Sequence, residues 1–248
     1  MQPLILKFGS SVLANAQSLP SVADDIARAA AGGAEVVAVV SAFAGVTDGL
    51  IRRAESVGGA VDPYAYAALV GSGELESASM LALTLAAAGR PARLLTPEQF
   101  TLRARGNPLD AEPHDFDREQ LTRALDDTRI AIVPGFIAHD ERNRTLLLGR
   151  GGSDYTALFL AARLGGRCRL VKDVDGLYER DPAEPGPPPR RYRAVDWSEA
   201  LRVAGRLVQP KTIRFAESLA LELEVGCIGG DEGTLIGPGP VAFYPDPT

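Results

Sequence analysis

Five short segments of this chain gather residues able to bind or move a charged group. Lys7-Phe8-Gly9-Ser10-Ser11 follows an apolar run of strand character. A lysine at a strand tip can neutralise a phosphate as a point charge, and a glycine beside it lets backbone N–H groups approach an anion. The same pattern also makes an ordinary turn. Ser41-Ala42-Phe43-Ala44-Gly45-Val46-Thr47-Asp48 follows a second such run. Small residues and hydroxyls at the carboxyl end of a strand suit a ligand crevice in an open α/β sheet. Ser41 and Thr47 could donate to a carboxylate there, while Thr47 or Asp48 could equally cap a helix.

Gly71-Ser72-Gly73-Glu74 interrupts an Ala/Leu-rich helical stretch. Each glycine costs a helix about 1 kcal/mol relative to alanine. A close ligand or close helix packing would explain them, and Glu74 could meet an ammonium group. Leu148-Gly149-Arg150-Gly151-Gly152-Ser153-Asp154-Tyr155-Thr156 is the most specific segment. Its glycines free backbone N–H groups, Ser153 or Asp154 can cap the helix that begins near Asp154, and Arg150 can grip a carboxylate with two parallel bonds. Lys172-Asp173-Val174-Asp175-Gly176-Leu177-Tyr178, followed by Asp181-Pro182, is an acidic turn with an aromatic neighbour. It suits nucleotide contacts, although such turns also occur as plain loops.

These segments need a scaffold that brings strand ends together. Apolar runs at 4–8, 35–40, 92–95, 129–133 and 169–171 alternate with helical patterns at 21–31, 47–56, 64–88, 117–125, 154–164, 197–204 and 210–221. That alternation predicts a mainly parallel sheet covered by helices on both faces, and continuous apolar strands fit burial on both sides. Residues 101–116 carry Gly106, Pro108 and Pro113 and read as a surface loop or hairpin. Residues 136–139 and 145–147 read as a β-hairpin ahead of the Gly-rich turn, and 226–236 holds the last strand signals. The proline-rich run 182–189 reads as an exposed polyproline-like excursion. His114 and His139 fall in loop or hairpin settings where solvent exposure is expected, and Trp197 reads as a packing residue.

The chain has 248 residues, 46% of them hydrophobic, enough for one compact α/β domain or two tightly joined lobes. A formal net charge of -6 and a pI near 5.1 supply no positive field for nucleic acid or an anionic membrane, so neither is an expected partner. Any anion must be held by a local group of cations and N–H donors. No apolar run reaches the ~18 residues of a bilayer span, and the start reads as a strand rather than a signal peptide. Cys168 and Cys227 sit in strand-like runs as small buried hydrophobes, not as a disulfide or zinc framework. A cytoplasmic protein is expected.

Taken in order, the five segments with Pro134-Gly135-Phe136 resemble the aspartate kinases of the amino-acid kinase superfamily, over nearly the whole chain. The resemblance implies an α/β fold, a three-layer α/β/α sandwich with a mostly parallel central sheet, forming a single domain over 1–248. About 1–165 would be its amino-acid-binding lobe and 166–248 its nucleotide-binding lobe. It implies ATP and Mg2+ as cofactors and direct attack of a side-chain carboxylate, that of L-aspartate, on the γ-phosphate. Lys7 and Asp154 would be the catalytic residues, Asp154 organising Lys7. Ser41, Thr47, Glu74, Phe136, Arg150, Gly152 and Ser153 would hold the amino acid, with Arg150 on its α-carboxylate. Gly9, Ser10, Lys172, Asp173, Tyr178, Asp181 and Arg206 would lie beside the nucleotide, and no metal-ligating side chain is implied. Enzymes of this superfamily commonly dimerise, and the Ala/Leu face of 64–88 could join two copies.

Departures from the family pattern cluster on the nucleotide side. The phosphate loop is one residue shorter, a form that resembles glutamate 5-kinases. Lys172 replaces a small hydroxyl residue, Ala183 replaces the usual arginine after Asp-Pro, and Arg206 stands where a lysine is expected. A kinase for glutamate or another amino-acid-like acid, or a non-catalytic regulatory paralogue, are the alternative readings. The resemblance stops before the ACT regulatory domains that most aspartate kinases carry, so feedback inhibition in cis is not expected.

Overall fold

The computed structural model describes residues 2–205 and 207–245. The chain runs β1 (Leu4–Phe8), α1 (Leu19–Ala31), β2 (Val36–Val40), α2 (Val46–Ser56), α3 (Pro63–Ala87), β3 (Arg93–Leu94), α4 (Pro97–Phe100), β4 (Arg103–Asn107), β5 (Asp110–Asp115), α5 (Arg118–Thr128) and β6 (Ile130–Pro134). It continues through β7 (Ile137–His139), β8 (Thr145–Leu147), α6 (Gly152–Leu164), β9 (Arg167–Lys172), β10 (Tyr192–Val195), α7 (Trp197–Val203), α8 (Pro210–Ser218), β11 (Leu223–Cys227), β12 (Thr234–Ile236) and β13 (Ala242–Phe243).

One sheet of nine strands has the order β13-β10-β12-β11-β9-β1-β2-β6-β3. It is mostly parallel; the β11–β12 and β10–β13 pairs are antiparallel. Alternation along the strands splits the core into two layers. Ile5, Val37, Val39, Ala131 and Val133 pack with Leu121 of α5, Leu158 of α6 and Ile213 of α8. Leu6, Phe8, Val36, Ala38, Val40 and Ile132 pack on the opposite side with Val22 and Ile26 of α1 and Leu81 and Leu85 of α3. This is the expected sandwich, with strands buried on both faces as their continuous apolar runs require.

Residues 101–116 form the β4–β5 hairpin, which joins the β7–β8 hairpin in a second sheet of order β5-β4-β7-β8. That pairing corrects the expectation for the histidines. His139 is buried because its strand lies under α4 and beside β4, with its N–H donating to Leu102 O at 2.8 Å. His114 is half-buried, its Nδ1 3.2 Å from Arg103 O. Strand β10, β13 and the short helix α4 have no counterpart among the sequence expectations. Trp197 opens α7 and packs on the core, as expected, with Asp196 accepting from the N–H of Glu199 at 2.7 Å as its cap. The run 182–189 is exposed apart from half-buried Pro189. Among the described residues no helix is long and apolar enough to cross a membrane.

Candidate active site

The carboxyl ends of β1, β2, β6 and β9 converge, and their loops are tied to one another. Ser41 N–H donates to Phe8 O at 3.1 Å, Ala44 N–H to Leu13 O at 2.9 Å and Gly135 N–H to Val40 O at 2.9 Å. Above them lies a cavity of about 670 Å³. Because side chains alternate along a strand, Lys7 shares the face of Ile5, and Lys172 that of Cys168 and Leu170. Both therefore point toward α6, whose first turn carries Asp154.

Asp154 is buried between the two lysines. Lys7 Nζ lies 2.6 Å from Asp154 Oδ1, and Lys172 Nζ lies 3.1 Å from Oδ2. Burial alone would raise the carboxyl pKa, but the two ammonium groups outweigh it and hold Asp154 below the ordinary carboxylate value. Lys172 is pushed down to about 8, by burial first and by repulsion from Lys7 second. Asp154 is thus not the cap of its helix. Gly151, at φ 73°, takes that position, and α6 begins at Gly152. Asp154 sits in the first turn, where a negative charge also suits the helix dipole.

The Gly-rich turn is pressed between neighbours. A Cβ at Gly152 would lie 2.6 Å from Phe136 Cδ2, and one at Gly135 would lie 2.7 Å from Ser153 Cβ. Phe136 itself has φ 68°, and its N–H donates to Thr156 Oγ1 at 3.1 Å. The segments Pro134-Gly135-Phe136 and Gly151-Gly152-Ser153 therefore form one packed unit, and exposed Arg150 next to it lines the cavity.

Opposite it, α3 starts sharply: Asp62 accepts from the N–H groups of Tyr64 and Ala65 at 2.8 and 3.2 Å, and Pro63 fills its first position. Its glycines answer close packing. A Cβ at Gly73 would sit 3.0 Å from both Ala42 Cβ and Val46 Cγ1, and one at Gly71 would sit 3.0 Å from Ile137 Cγ1. This approach carries Glu74 into the cavity wall, where only 3% of it is exposed and Oε2 has no hydrogen-bond partner among the described residues. Burial raises its pKa to about 7, against the lowering effects of the Ala42 backbone and Lys7. Ser77 Oγ donates to Ser41 O at 2.7 Å and fixes the adjoining loop. Neither Thr47 nor Asp48 caps α2; Gly45, at φ 76°, does so, and Thr47 in the first turn faces the cavity.

Thirteen of the expected site residues line this one cavity. They are Lys7, Gly9, Ser10, Ser41, Thr47, Glu74, Phe136, Arg150, Gly152, Ser153, Asp154, Lys172 and Asp173. Tyr178 and Asp181 lie outside its lining. The Tyr178 hydroxyl donates to Asp175 Oδ1 at 2.8 Å, and Asp181 Oδ1 accepts from Ala183 N–H at 2.9 Å within a turn. Arg206 falls outside the described residues. Unanticipated lining comes from Ile51, Tyr66, Val70, Leu109, Leu147 and Leu207. Tyr66 and Val70 precede Glu74 at four-residue spacing, and Ile51 follows Thr47 by four, so helical periodicity would have found all three. Leu109 arrives from the tip of the β4–β5 hairpin, which no local signal points to this site.

A mostly parallel α/β/α sandwich carries a lysine–carboxylate–lysine cluster at its strand ends. The amino acid kinase family model matches residues 2–225, and the chain belongs to that family. It is 30% identical over 229 residues to an aspartate kinase of Stutzerimonas stutzeri, covering 91% of this chain and 55% of the relative. It is 31% identical over 243 residues to the aspartokinase of Mycolicibacterium smegmatis, covering 95% and 57%. The crystal structure of an aspartate kinase from Synechocystis superposes with a TM-score of 0.82 at 28% identity, covering 96% of this chain and 40% of that one. UMP kinase of Bacillus anthracis, at 20% identity and a TM-score of 0.69, shares the fold. The chain spans little more than half the length of the curated relatives it matches.

Proposed function

We propose that this chain catalyses transfer of the γ-phosphoryl group of ATP to the side-chain carboxylate of L-aspartate, giving 4-phospho-L-aspartate. One observation carries the reading: the Lys7–Asp154 pair, Arg150 and Glu74 all line one cavity, and Glu74 keeps a buried oxygen without a donor among the described residues. A buried carboxylate oxygen without a donor is costly, and the ammonium group of an amino acid would satisfy it. Arg150 would take the α-carboxylate, with Ser41, Thr47 and Ser153 as hydroxyl donors and Phe136 and Gly152 shaping the floor.

The acceptor carboxylate is already an anion at neutral pH, so attack needs no general base. Its oxygen forms a bond to the γ-phosphorus while the bond from that phosphorus to the bridging oxygen breaks, and the electron pair leaves with ADP. Catalysis then rests on alignment and on neutralising charge spread over the phosphoryl oxygens. Lys7 supplies that charge at the strand tip, and Asp154 holds Lys7 in place. Gly9 and Ser10 would offer backbone and hydroxyl donors to the phosphates, and Asp173, Tyr178, Asp181 and Arg206 would border the nucleotide. Magnesium would arrive with ATP, held largely by phosphate oxygens and water, as a hard cation that sheds water reluctantly.

We assign residues 1–165 to the acid and 166–248 to the nucleotide, in a cytoplasmic enzyme. Leu69, Leu75, Met80 and Leu83 are exposed along α3, which supports a homodimer through that helix. Sedimentation of L83E against the unaltered protein tests it, a monomeric unaltered protein counting against it.

The test of activity is trapping of the acyl phosphate. With ATP, magnesium and hydroxylamine, the protein should form the hydroxamate of aspartate in preference to that of glutamate. No aspartyl hydroxamate above background sinks the assignment.

A further inference from the structure

The roles proposed above leave one buried cation unexplained. A single carboxylate needs one lysine for neutrality, yet Asp154 faces two. Lys172 is 7% exposed and Lys7 5%, so the three groups carry a net charge of one positive in a place where charge is expensive, offset within the protein only by the pull of nearby Asp173 and Glu74. The cluster's surplus also has a direction. A Cβ at Gly9 would come 3.0 Å from Lys7 Nζ and 3.9 Å from Lys172 Nζ, so both ammonium groups lie beside the same bare stretch of backbone. In the register of the sheet, Phe8 pairs with Val171, which sets Lys172 level with Gly9 at the mouth of the cavity. The other charged groups around it are Asp173, next in the chain, and Glu74, which faces Lys7 from α3.

We propose that Lys172 is a second catalytic cation, whose ammonium group binds the transferring phosphoryl group together with Lys7. An anion over Gly9 would take the surplus charge, and Asp154 would hold both lysines at the spacing of its two carboxylate oxygens. Lys172 is thereby placed on the reacting phosphate, rather than on the base or ribose. The inference rests on the proposed phosphoryl transfer but not on the identity of the acceptor.

The proposal carries an expected pH limit. A free Lys172 near 8 is charged below that value and loses its proton above it. The alkaline limb of kcat/KM should therefore fall as pH rises through about 8. Arginine at this position, which stays charged, should move the limb upward.

Calorimetric titration of the full chain with magnesium and either ADP or a non-hydrolysable ATP analogue, with no acceptor present, tests the contact directly. Lys172→Met should weaken the triphosphate analogue by at least about tenfold while leaving ADP within about twofold, and should lower kcat about 10²-fold. Lys172→Arg should restore most of the preference for the triphosphate. Equal affinities in the unaltered protein and Lys172→Met for both nucleotides, or equal losses for both, would overturn the proposal and leave Lys172 as a structural partner of Asp154. If Lys172→Met does not fold, Lys172→Arg decides by its pH profile: an alkaline limb unchanged from the unaltered protein rejects the assignment. An unaltered protein that binds no nucleotide rejects it too. Triphosphate preference lost in Lys172→Met, alongside no aspartyl hydroxamate, would keep the second cation and reject only the acceptor.

Discussion

The residues proposed for the acid and those proposed for the nucleotide are held in different ways. On the proposed acid side, position is set by contact between layers. Gly73 lies against Ala42 and Val46, Gly135 against Ser153, and Gly152 against Phe136, all at spacings where a Cβ would meet a neighbour at 3.0 Å or less. On the proposed nucleotide side, the segment after β9 is held mostly by its own turns. Asp175 accepts from Tyr178 and pairs with Arg191, and Asp181 accepts from Ala183 two residues on. Interlayer packing fixes side chains against rigid elements, whereas a turn tolerates substitution as long as its local bonds survive. Of the departures from the aspartate kinase pattern, Ala183 falls in such a turn, whereas Lys172 reaches the rigid centre.

The largest break in this contrast should come from the point where the two sides meet. Asp154→Asn would leave Lys7 and Lys172 buried and facing one another without a counter-charge. Removing one member of such a cluster costs about 3–5 kcal/mol of stability. Denaturant unfolding should show that loss, and the hydroxamate assay a fall in kcat of about 10³-fold. Retained stability would mean that the lysines lose their protons or turn outward at little cost.

Arg150→Ala should act on the acid side alone. Loss of a charged bidentate contact of about 2–3 kcal/mol predicts a rise in KM for aspartate of about 30- to 100-fold. The melting temperature should stay unchanged, because Arg150 is exposed. An equal rise in KM for ATP would erase the division between the sides.

Gly73→Ala probes packing. A methyl group 3.0 Å from Ala42 and Val46 should cost about 1–3 kcal/mol by overpacking and push α2 away from Glu74. The same substitution at Gly58 has no neighbour to meet, although its positive φ of 70° still strains alanine. Comparing the two variants' KM for aspartate separates cavity geometry from general destabilisation.

The smallest effect expected is a pH dependence. Glu74 has its pKa raised to about 7, so below that value it is protonated and neutral, and above it charged. If it holds the acceptor ammonium, KM for aspartate should rise several-fold as pH falls from 8 to 6. Glu74→Gln should remove that slope. The sign for stability is opposite: the raised value means that the native state holds a proton the unfolded chain has lost, so this group costs stability as pH rises through the interval from 4.5 to about 7.

The sequence alone determined the layers and marked most of the segments that line the cavity. Continuous apolar runs such as Val36–Val40 have only one environment open to them, burial on both faces of a sheet. Glycines at 71 and 73 marked a close ligand or close helix packing, and those at 149, 151 and 152 marked a turn with freed backbone N–H groups. Tertiary structure decided what those positions meet. That Gly71 and Gly73 answer packing rather than ligand, that Asp154 serves two lysines rather than a helix end, and that His139 is covered by another hairpin all depend on partners far away in the chain. Local propensity acts within a few residues, but a buried charge takes its role from whatever opposite charge the fold brings within 3 Å, and no periodicity in the chain encodes that distance.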